Sequence, residues 1–129
     1  MKFSPDPRYW GSKFWFVMHT VAEFYPQYPN TDDMANAKNF YTSLRHLLPC
    51  PSCAEHYSGL LLKYDIDNHL TSKDSLMRYV NMLHNEVNKR IGKPIVSYEQ
   101  YLQNLFLPQE NAPKFPIEYI MLGIILAIL

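Results

Sequence analysis

The chain has 129 residues, which suits a single domain with a modest hydrophobic core. Twelve basic side chains balance twelve acidic ones, so the chain lacks the net positive charge that binding to nucleic acid requires. It contains only two cysteines, which excludes a fold held together by a framework of several disulfides.

Helical periodicity dominates the chain, and no segment alternates long enough between polar and apolar residues to predict a sheet. The first seven residues contain no apolar run, so we expect no secretory signal. Short loops between helices favour antiparallel packing, and the predicted fold is therefore all-α, a four-helix bundle with a short fifth helix. We predict helices from about Pro7 to Phe24, from Thr31 or Asp32 to about Leu48, from Cys50 to Tyr64, from Thr71 or Ser72 to about Gly92, and from Ser97 to Leu107.

Local residue types set these boundaries. Thr31 or Asp32 suits the N-cap of the second helix, and Pro51 suits the first position of the third, where proline is favoured. The segment from Asp65 to Leu70 is predicted to be a loop. Gly92 is a good C-terminal stop for the fourth helix because glycine tolerates the left-handed conformation found there.

Two of these helices carry predicted apolar stripes. The first helix has Trp10, Phe14, Val17, Val21 and Phe24 at steps of three and four, and the fourth has Met77, Val80, Leu83, Val87 and Ile91. Asn81, His84 and Asn88 flank the stripe of the fourth helix. Solvent could satisfy these polar groups, or a ligand with many hydrogen-bonding edges could.

The C-terminal part of the chain differs in composition from the rest. Residues 1–107 form the predicted domain, residues 108–116 a linker with three prolines, and residues 117–129 a hydrophobic segment. Thirteen helical residues span about 20 Å, less than a hydrocarbon core of about 30 Å. We expect a role at a membrane, as a marginal tail anchor, a membrane-surface helix or the start of a longer span. The alternatives are a helix packed on the domain or on a second copy of the chain, and a membrane-tethered structural protein whose tail is the functional part.

Pro49-Cys50-Pro51-Ser52-Cys53 contains both cysteines, two residues apart at the predicted start of the third helix. A helix N-terminus lowers the pKa of a thiol, and two thiols at this spacing can open and close a disulfide reversibly. A redox centre is the favoured interpretation. A zinc site made of Cys50, Cys53, His56 and His84 is one alternative, and an inert pair is another. A thioredoxin-type site would follow a strand, and no strand is predicted before Pro49.

Aromatic and polar side chains coincide on two helices. Trp15 and His19 are four residues apart on the first helix, and Asn81, His84 and Asn88 lie on the fourth, which ends in the bases Lys89, Arg90 and Lys93. A dithiol needs an electron acceptor, and an isoalloxazine ring is planar and edged with donors and acceptors. A bound flavin accounts for all of these features.

Three segments together resemble the FAD-linked sulfhydryl oxidases of the Erv/ALR type, and most closely their short viral members. They are GSKFWFVMHT from Gly11 to Thr20, PCPSCAEH from Pro49 to His56, and HNEVNKRIGKP from His84 to Pro94. The resemblance covers about residues 8–107. It implies a helical bundle that holds FAD at its mouth, in a homodimer. The absence of further cysteines makes that expected dimer non-covalent.

The resemblance also implies roles for individual residues. Cys50 would meet the substrate, and Cys53 would lie against the flavin. In the mechanism that follows from these roles, the positive field that holds the Cys53 thiolate would come from His56, one turn along the helix; the alternative is that His56 is an exposed helix residue without this role. Cofactor contacts are expected from Gly11, Lys13, Trp15, His19, Cys53, His56, His84, Asn85, Val87, Asn88, Lys89, Lys93 and Tyr101. Electrons would come from a protein dithiol or a small thioredoxin-like redox protein and pass through FAD to O2, which gives H2O2. The expected location is the host cytoplasm or the virion.

Overall fold

The computed structural model describes residues 6–106, which contain helices and no strand. The five α-helices of this part of the chain are α1 (Pro7–Glu23), α2 (Thr31–Leu47), α3 (Pro51–Lys63), α4 (Lys73–Ile91) and α5 (Tyr98–Phe106). Helix α1 packs against α4, α2 against α3, and α5 against α4. The predicted all-α class and the five predicted helices are confirmed here. The proposed linker and the hydrophobic C-terminal segment lie outside the described residues.

Helix α2 begins at Thr31 as predicted, but its N-cap lies one position before Thr31 and two before Asp32. Asn30 caps this helix, because its side-chain oxygen accepts a hydrogen bond from the Asp33 amide at 2.8 Å. The Asp33 carboxylate in turn accepts one from the Asn30 amide at 2.9 Å. This reciprocal capping box satisfies two backbone donors at once, which Thr31 or Asp32 would not do.

The predicted loop from Asp65 to Leu70 is wrong, because Ile66–His69 form a short 3₁₀ helix. The Asp65 side chain begins it by accepting a hydrogen bond from the Asp67 amide at 3.0 Å. Ile66 and Leu70 are both buried, so the turn is held by the core as well as by its cap. Its compact path leads directly to Ser72, the N-cap of α4.

The end of α4 follows the prediction. Gly92 adopts a left-handed conformation with φ of 74°, which a residue without a side-chain carbon reaches at little cost. The Lys93 amide then donates to the Asn88 carbonyl at 2.9 Å, which closes the last turn of the helix. This geometry fixes where the chain leaves α4 on its way to α5.

Buried tyrosines join the helices at the centre of the molecule. The Tyr41 hydroxyl on α2 donates to the Met18 carbonyl on α1, and the Tyr57 hydroxyl on α3 donates to the Tyr41 carbonyl, both at 2.7 Å. Burial raises the pKa of both hydroxyls far above the usual value, so each stays protonated and able to donate. These bonds satisfy hydroxyls that would otherwise be costly to bury.

Three of the predicted stripe residues are exposed. Val17 of α1 and Phe24, the C-cap of α1, are 47% and 84% exposed, and Ile91 of α4 is 55% exposed. Met18 and Ala22 occupy the core face of α1 instead, at 4% and 0%. The inward face of α1 is rotated relative to the prediction, and a second apolar face is left on the outside of the helix.

Candidate functional site

Cys50 and Cys53 form a disulfide across the first turn of α3, with their Cα atoms 5.2 Å apart. Cys50 is the N-cap, and its sulfur accepts a hydrogen bond from the Cys53 amide at 3.3 Å. Pro51 occupies the first helical position, as predicted. The local sequence therefore places the sulfur of Cys50 where the helix dipole favours negative charge.

The zinc alternative is not supported. Both sulfurs that would ligate the metal are joined to each other. Within residues 6–106, no group of three or more His, Cys, Asp or Glu side chains is arranged to hold a metal ion. The motif is therefore better described by its redox chemistry.

A cation from α4 reaches the cysteine motif. An Arg90 guanidinium nitrogen, Nη1, donates to the carbonyl of Ser52 at 3.3 Å, and the Ser52 hydroxyl lies 3.3 Å from the sulfur of Cys50. Burial lowers the pKa of His56 below its usual value, and the charge of Arg90 lowers it further. Glu86 raises this pKa in part, and the net shift disfavours the charged form of His56 beside the disulfide. Its role toward a Cys53 thiolate stays a prediction. Sequence reasoning placed Arg90 among the bases at the end of α4 and did not assign it to the motif, because local patterns do not reveal a contact between residues 38 positions apart.

Four rings from three helices form a cluster. The indole of Trp15 stacks on the imidazole of His84, with centroids 4.2 Å apart and planes inclined by 7°. His19 Nε2 lies 3.0 Å from His84 Nδ1, and the Tyr101 ring of α5 lies 4.8 Å from His19. The fold thus brings together four residues from separate parts of the sequence, all of which are expected to contact one ligand.

Both histidines of the cluster are neutral at pH 7. Burial is the main cause and lowers the pKa of each to about 4. The charge of His84 lowers the pKa of His19 further, and the charge of Lys93 does the same to the pKa of His84. One ring of the pair donates the shared hydrogen bond and the other accepts it. His19 Nδ1 is buried and has no hydrogen-bond partner among residues 6–106. A ligand edge placed there would satisfy it.

The asparagines of α4 are not satisfied by solvent, because Asn81 and Asn88 are only 7% and 6% exposed. Asn85 is expected to contact the cofactor, yet its side chain both donates to the Val96 carbonyl at 2.7 Å and accepts from the Val96 amide at 3.0 Å. Asn81 also donates to the Val96 carbonyl, at 3.2 Å. Two of the asparagines therefore fix the segment between α4 and α5, and the buried Asn88 is the better candidate for a ligand.

The remaining predicted contact residues have other partners, or none nearby, within the described part of the chain. Lys13 bonds to the Tyr9 carbonyl at 3.1 Å, and Lys89 pairs with Glu86 at 2.9 Å. Val87 packs against the core, and a side-chain carbon added at Gly11 would meet nothing within 4 Å. The cofactor roles assigned to these residues therefore stay predictions.

The ring cluster has the chemistry that FAD requires. It offers flat aromatic surfaces, a buried imidazole nitrogen without a partner, and the cation Lys93, whose charge acts on His84. A flavin dinucleotide combines flat rings, hydrogen-bonding edges and a doubly charged diphosphate, and each of these matches one of the features above. The residues present therefore fit FAD.

Comparisons with known proteins agree with this chemistry. The model of the Erv1 / Alr family matches residues 12–106. The 096R protein of invertebrate iridescent virus 3, named as an FAD-linked sulfhydryl oxidase, is 32% identical over 105 residues, which cover 81% of this chain and 71% of that protein. The FAD-linked sulfhydryl oxidase of African swine fever virus is 31% identical over 111 residues, 86% of this chain and 88% of the relative.

Solved structures give the same result. The crystal structure of the FAD-binding domain of Erv1 from Saccharomyces cerevisiae superimposes with a TM-score of 0.68 and 28% sequence identity. The match covers 71% of this chain and 86% of that domain. The helical arrangement and the sequence segments therefore point to the same group of proteins.

Proposed function

Because this chain belongs to the Erv1/Alr family, we infer that it is an FAD-dependent thiol oxidase that forms disulfides in dithiol substrates. The observation that carries this conclusion is the Cys50–Cys53 disulfide at the N-terminus of α3. A disulfide at this position can be exchanged with thiolates, because the helix dipole and the capping amide favour negative charge on the sulfur of Cys50, which leaves in the second of the two exchanges below.

The oxidation of substrate proceeds by two exchanges. A substrate thiolate attacks the sulfur of Cys50, so that a mixed disulfide forms, the Cys50–Cys53 bond breaks, and Cys53 leaves as a thiolate. The second substrate thiolate then attacks the substrate sulfur of the mixed disulfide, and Cys50 leaves. The substrate has lost two electrons as its disulfide forms, and the enzyme holds them as a dithiol.

Residues of the ring cluster would hold FAD beside this dithiol. Trp15, His19, His84 and Tyr101 would contact its rings, and Asn88 and Lys93 would meet its polar and charged groups. When bound, FAD accepts the two electrons of the dithiol and passes them to O2, which gives H2O2. The neutral histidines offer hydrogen bonds without adding charge to the site, because their pKa values are about 4.

We propose a protein dithiol, or a small thioredoxin-like redox protein, as the direct electron donor. The chain has no second cysteine pair that could relay electrons from a large substrate to Cys50. The viral relatives support a viral origin for the chain. The host cytoplasm or the virion is therefore the proposed place of action.

A homodimer is proposed from the outer face of α1. Tyr9, Phe16 and Phe24 are 63%, 70% and 84% exposed and follow each other at steps of seven and eight along the helix. An apolar face of this kind is typical of an interface between chains. With both cysteines used within the chain, such a dimer is non-covalent.

Membrane association is a separate proposal. No helix within residues 6–106 has the length and apolar character needed to cross a membrane. The proposal therefore depends on the hydrophobic residues 117–129 alone, which lie outside the described part of the chain.

The proposed activity predicts a flavin spectrum and thiol-dependent O2 uptake in the purified protein. Cys53→Ser and Cys50→Ser should each lower O2 uptake with dithiothreitol by at least about a hundredfold, because neither variant can form the exchangeable disulfide. Ser58→Ala is a matched control, since Ser58 lies on the same helix and its hydroxyl bonds to the Ala54 carbonyl. A folded protein that binds no flavin, or cysteine variants with unchanged uptake, would contradict the proposed function.

A further inference from the structure

The sulfur of Cys50 has two neighbours besides the amide that caps α3. The Ser52 hydroxyl lies 3.3 Å from it, close enough for a hydrogen bond to sulfur. Arg90 of α4 bonds to the carbonyl of the same Ser52 at 3.3 Å and holds a fixed positive charge beside the motif. Neither residue is needed to place the disulfide, which the N-cap geometry of Cys50 already explains.

We propose that Ser52 and Arg90 are positioning residues that stabilise the thiolate of Cys50 when it leaves the mixed disulfide. The proposal rests on the thiol oxidase function inferred above and extends it to the exchange step. Ser52 donates a hydrogen bond to the departing sulfur, and the positive charge of Arg90 compensates the negative charge of the thiolate.

The physical argument concerns the difference between the two states of Cys50. A sulfur within a disulfide is a weak hydrogen-bond acceptor, so the Ser52 hydroxyl contributes little there. The thiolate is an anion, and a hydrogen bond to an ionised acceptor is roughly twice as strong as a neutral one. Ser52 therefore stabilises the thiolate more than the disulfide, which lowers the pKa of Cys50.

Arg90 is the suitable cation because its guanidinium remains charged at every pH at which the enzyme works. Its bond to the Ser52 carbonyl keeps that charge at the first turn of α3. Because the Arg90 side chain is exposed, solvent screens its charge and the stabilisation of the Cys50 thiolate is modest. The neutral disulfide carries no charge and is not stabilised by Arg90 in this way.

Other titratable groups near the motif are less able to take this role. On α3, burial and the charge of Arg90 lower the pKa of His56 more than Glu86 raises it, which disfavours its charged form. On α4, Glu86 is paired with Lys89 at 2.9 Å. In the last turn of α2, Arg45 donates to His46 at 3.1 Å. Among the described residues, Arg90 is thus the cation bonded to the motif itself.

A lower pKa of Cys50 affects the second exchange, in which Cys50 is the leaving group. There a bond forms between the two substrate sulfurs, the bond from substrate to Cys50 breaks, and its electron pair goes to the Cys50 sulfur. Thiol exchange is faster when the leaving thiol has a lower pKa. Ser52 and Arg90 therefore favour release of oxidised substrate over a lingering mixed disulfide.

The test measures the pKa of Cys50 directly, in the FAD-loaded Cys53→Ser protein, where Cys50 is the only thiol. The rate of alkylation by iodoacetamide is followed against pH for this parent, and then with Ser52→Ala, Ser52→Thr, Arg90→Ala or Arg90→Lys added. We expect Ser52→Ala and Arg90→Ala each to raise the inflection by about half a pKa unit, which slows alkylation about threefold below the inflection. Ser52→Thr and Arg90→Lys should restore most of the parent profile.

Two control variants separate this effect from general damage. Ser58→Ala removes a hydroxyl elsewhere on α3, and Arg78→Ala removes a charge at the far end of α4, where Arg78 pairs with Asp74 at 2.8 Å. Both should keep the parent inflection. A profile for Ser52→Ala or Arg90→Ala that superimposes on the parent, in protein with unchanged helical circular dichroism, overturns the role of that residue. The readout needs no oxidase turnover, so a failure of the proposed function would be recognised separately, by absent O2 uptake in the wild-type protein.

Discussion

His19 and His84 show how burial can change the character of a single residue. Each has a pKa of about 4 in the folded protein, against an ordinary value of 6.5, because the surrounding protein disfavours the charged form. The pair shares one hydrogen bond at 3.0 Å, which two doubly protonated rings could not form. The cluster is therefore built for neutral imidazoles.

This arrangement predicts that the protein loses stability in acid. Between pH 6.5 and about 4 the unfolded chain binds protons on His19 and His84 that the folded chain does not. The contribution of the pair is therefore complete above pH 6.5 and is lost as the pH falls through 4. The Tm, measured by circular dichroism at steps from pH 7 to pH 4.5, should fall less steeply in a His19→Asn/His84→Asn double variant. Equal slopes for the two proteins would contradict this explanation.

At the scale of elements, the connection from α4 to α5 decides how the ring cluster is closed. Asn81 and Asn85 of α4 bond to the backbone of Val96, one residue before the Ser97 that opens α5. Tyr101 of α5 then places its ring beside His19 and donates its hydroxyl to Glu23 of α1. The orientation of a short terminal helix thus depends on side chains of the helix before it.

Removing the Asn85 side chain should therefore destabilise the fold as well as the site. Asn85→Ala leaves the amide and the carbonyl of Val96 with fewer partners, and we expect a loss of about 1–3 kcal/mol in the free energy of unfolding. Urea unfolding of the protein without FAD measures this loss without any contribution from the cofactor. Asn104→Ala, at an exposed position of α5, is the control and should change the free energy by less than about 0.5 kcal/mol. A stable Asn85→Ala protein would instead favour the direct cofactor contact expected from the family resemblance.

At the scale of the whole molecule, α1 presents two different faces. Its inner face supplies Met18 and Ala22 to the core and Trp15 and His19 to the ring cluster. On its outer face Phe16 is 70% exposed and lies on the same side of the helix as the exposed Tyr9 and Phe24. One helix can therefore serve the core, the cofactor site and an interface between chains.

The proposed dimer makes this outer face testable. Phe16→Glu with Phe24→Glu should convert a dimer into a monomer, because two charges would be buried without partners at the interface. Light scattering after size-exclusion chromatography measures the mass. Leu62→Glu is the matched control, since Leu62 of α3 is as exposed as Phe24, at 84%, but lies on a different helix. A monomeric parent protein, or a double variant that remains dimeric, would contradict the proposed interface.

The sequence by itself determined the helices and the chemistry of the cysteine motif. Pro51 after Cys50 and Gly92 after Ile91 act through their own backbone conformations, so their effects can be read from neighbouring residues. The capping pair Asn30 and Asp33 obeys equally local rules, and the predicted N-cap lay one or two positions after Asn30. The resemblance of three segments to known oxidases added the cofactor, because their order and spacing are properties of the chain.

Only the tertiary structure decided which of these residues meet and which of them carry charge. Arg90 reaches Ser52 from 38 residues away, and Asn85 bonds to Val96 although a cofactor contact was expected. Burial and the charge of Arg90 lower the pKa of His56. Burial and pKa depend on groups that approach from other helices, and the helical period of one segment does not contain that information. The rotation of α1, which placed Phe24 outside and Ala22 inside, was set in the same way by the helices that pack against it.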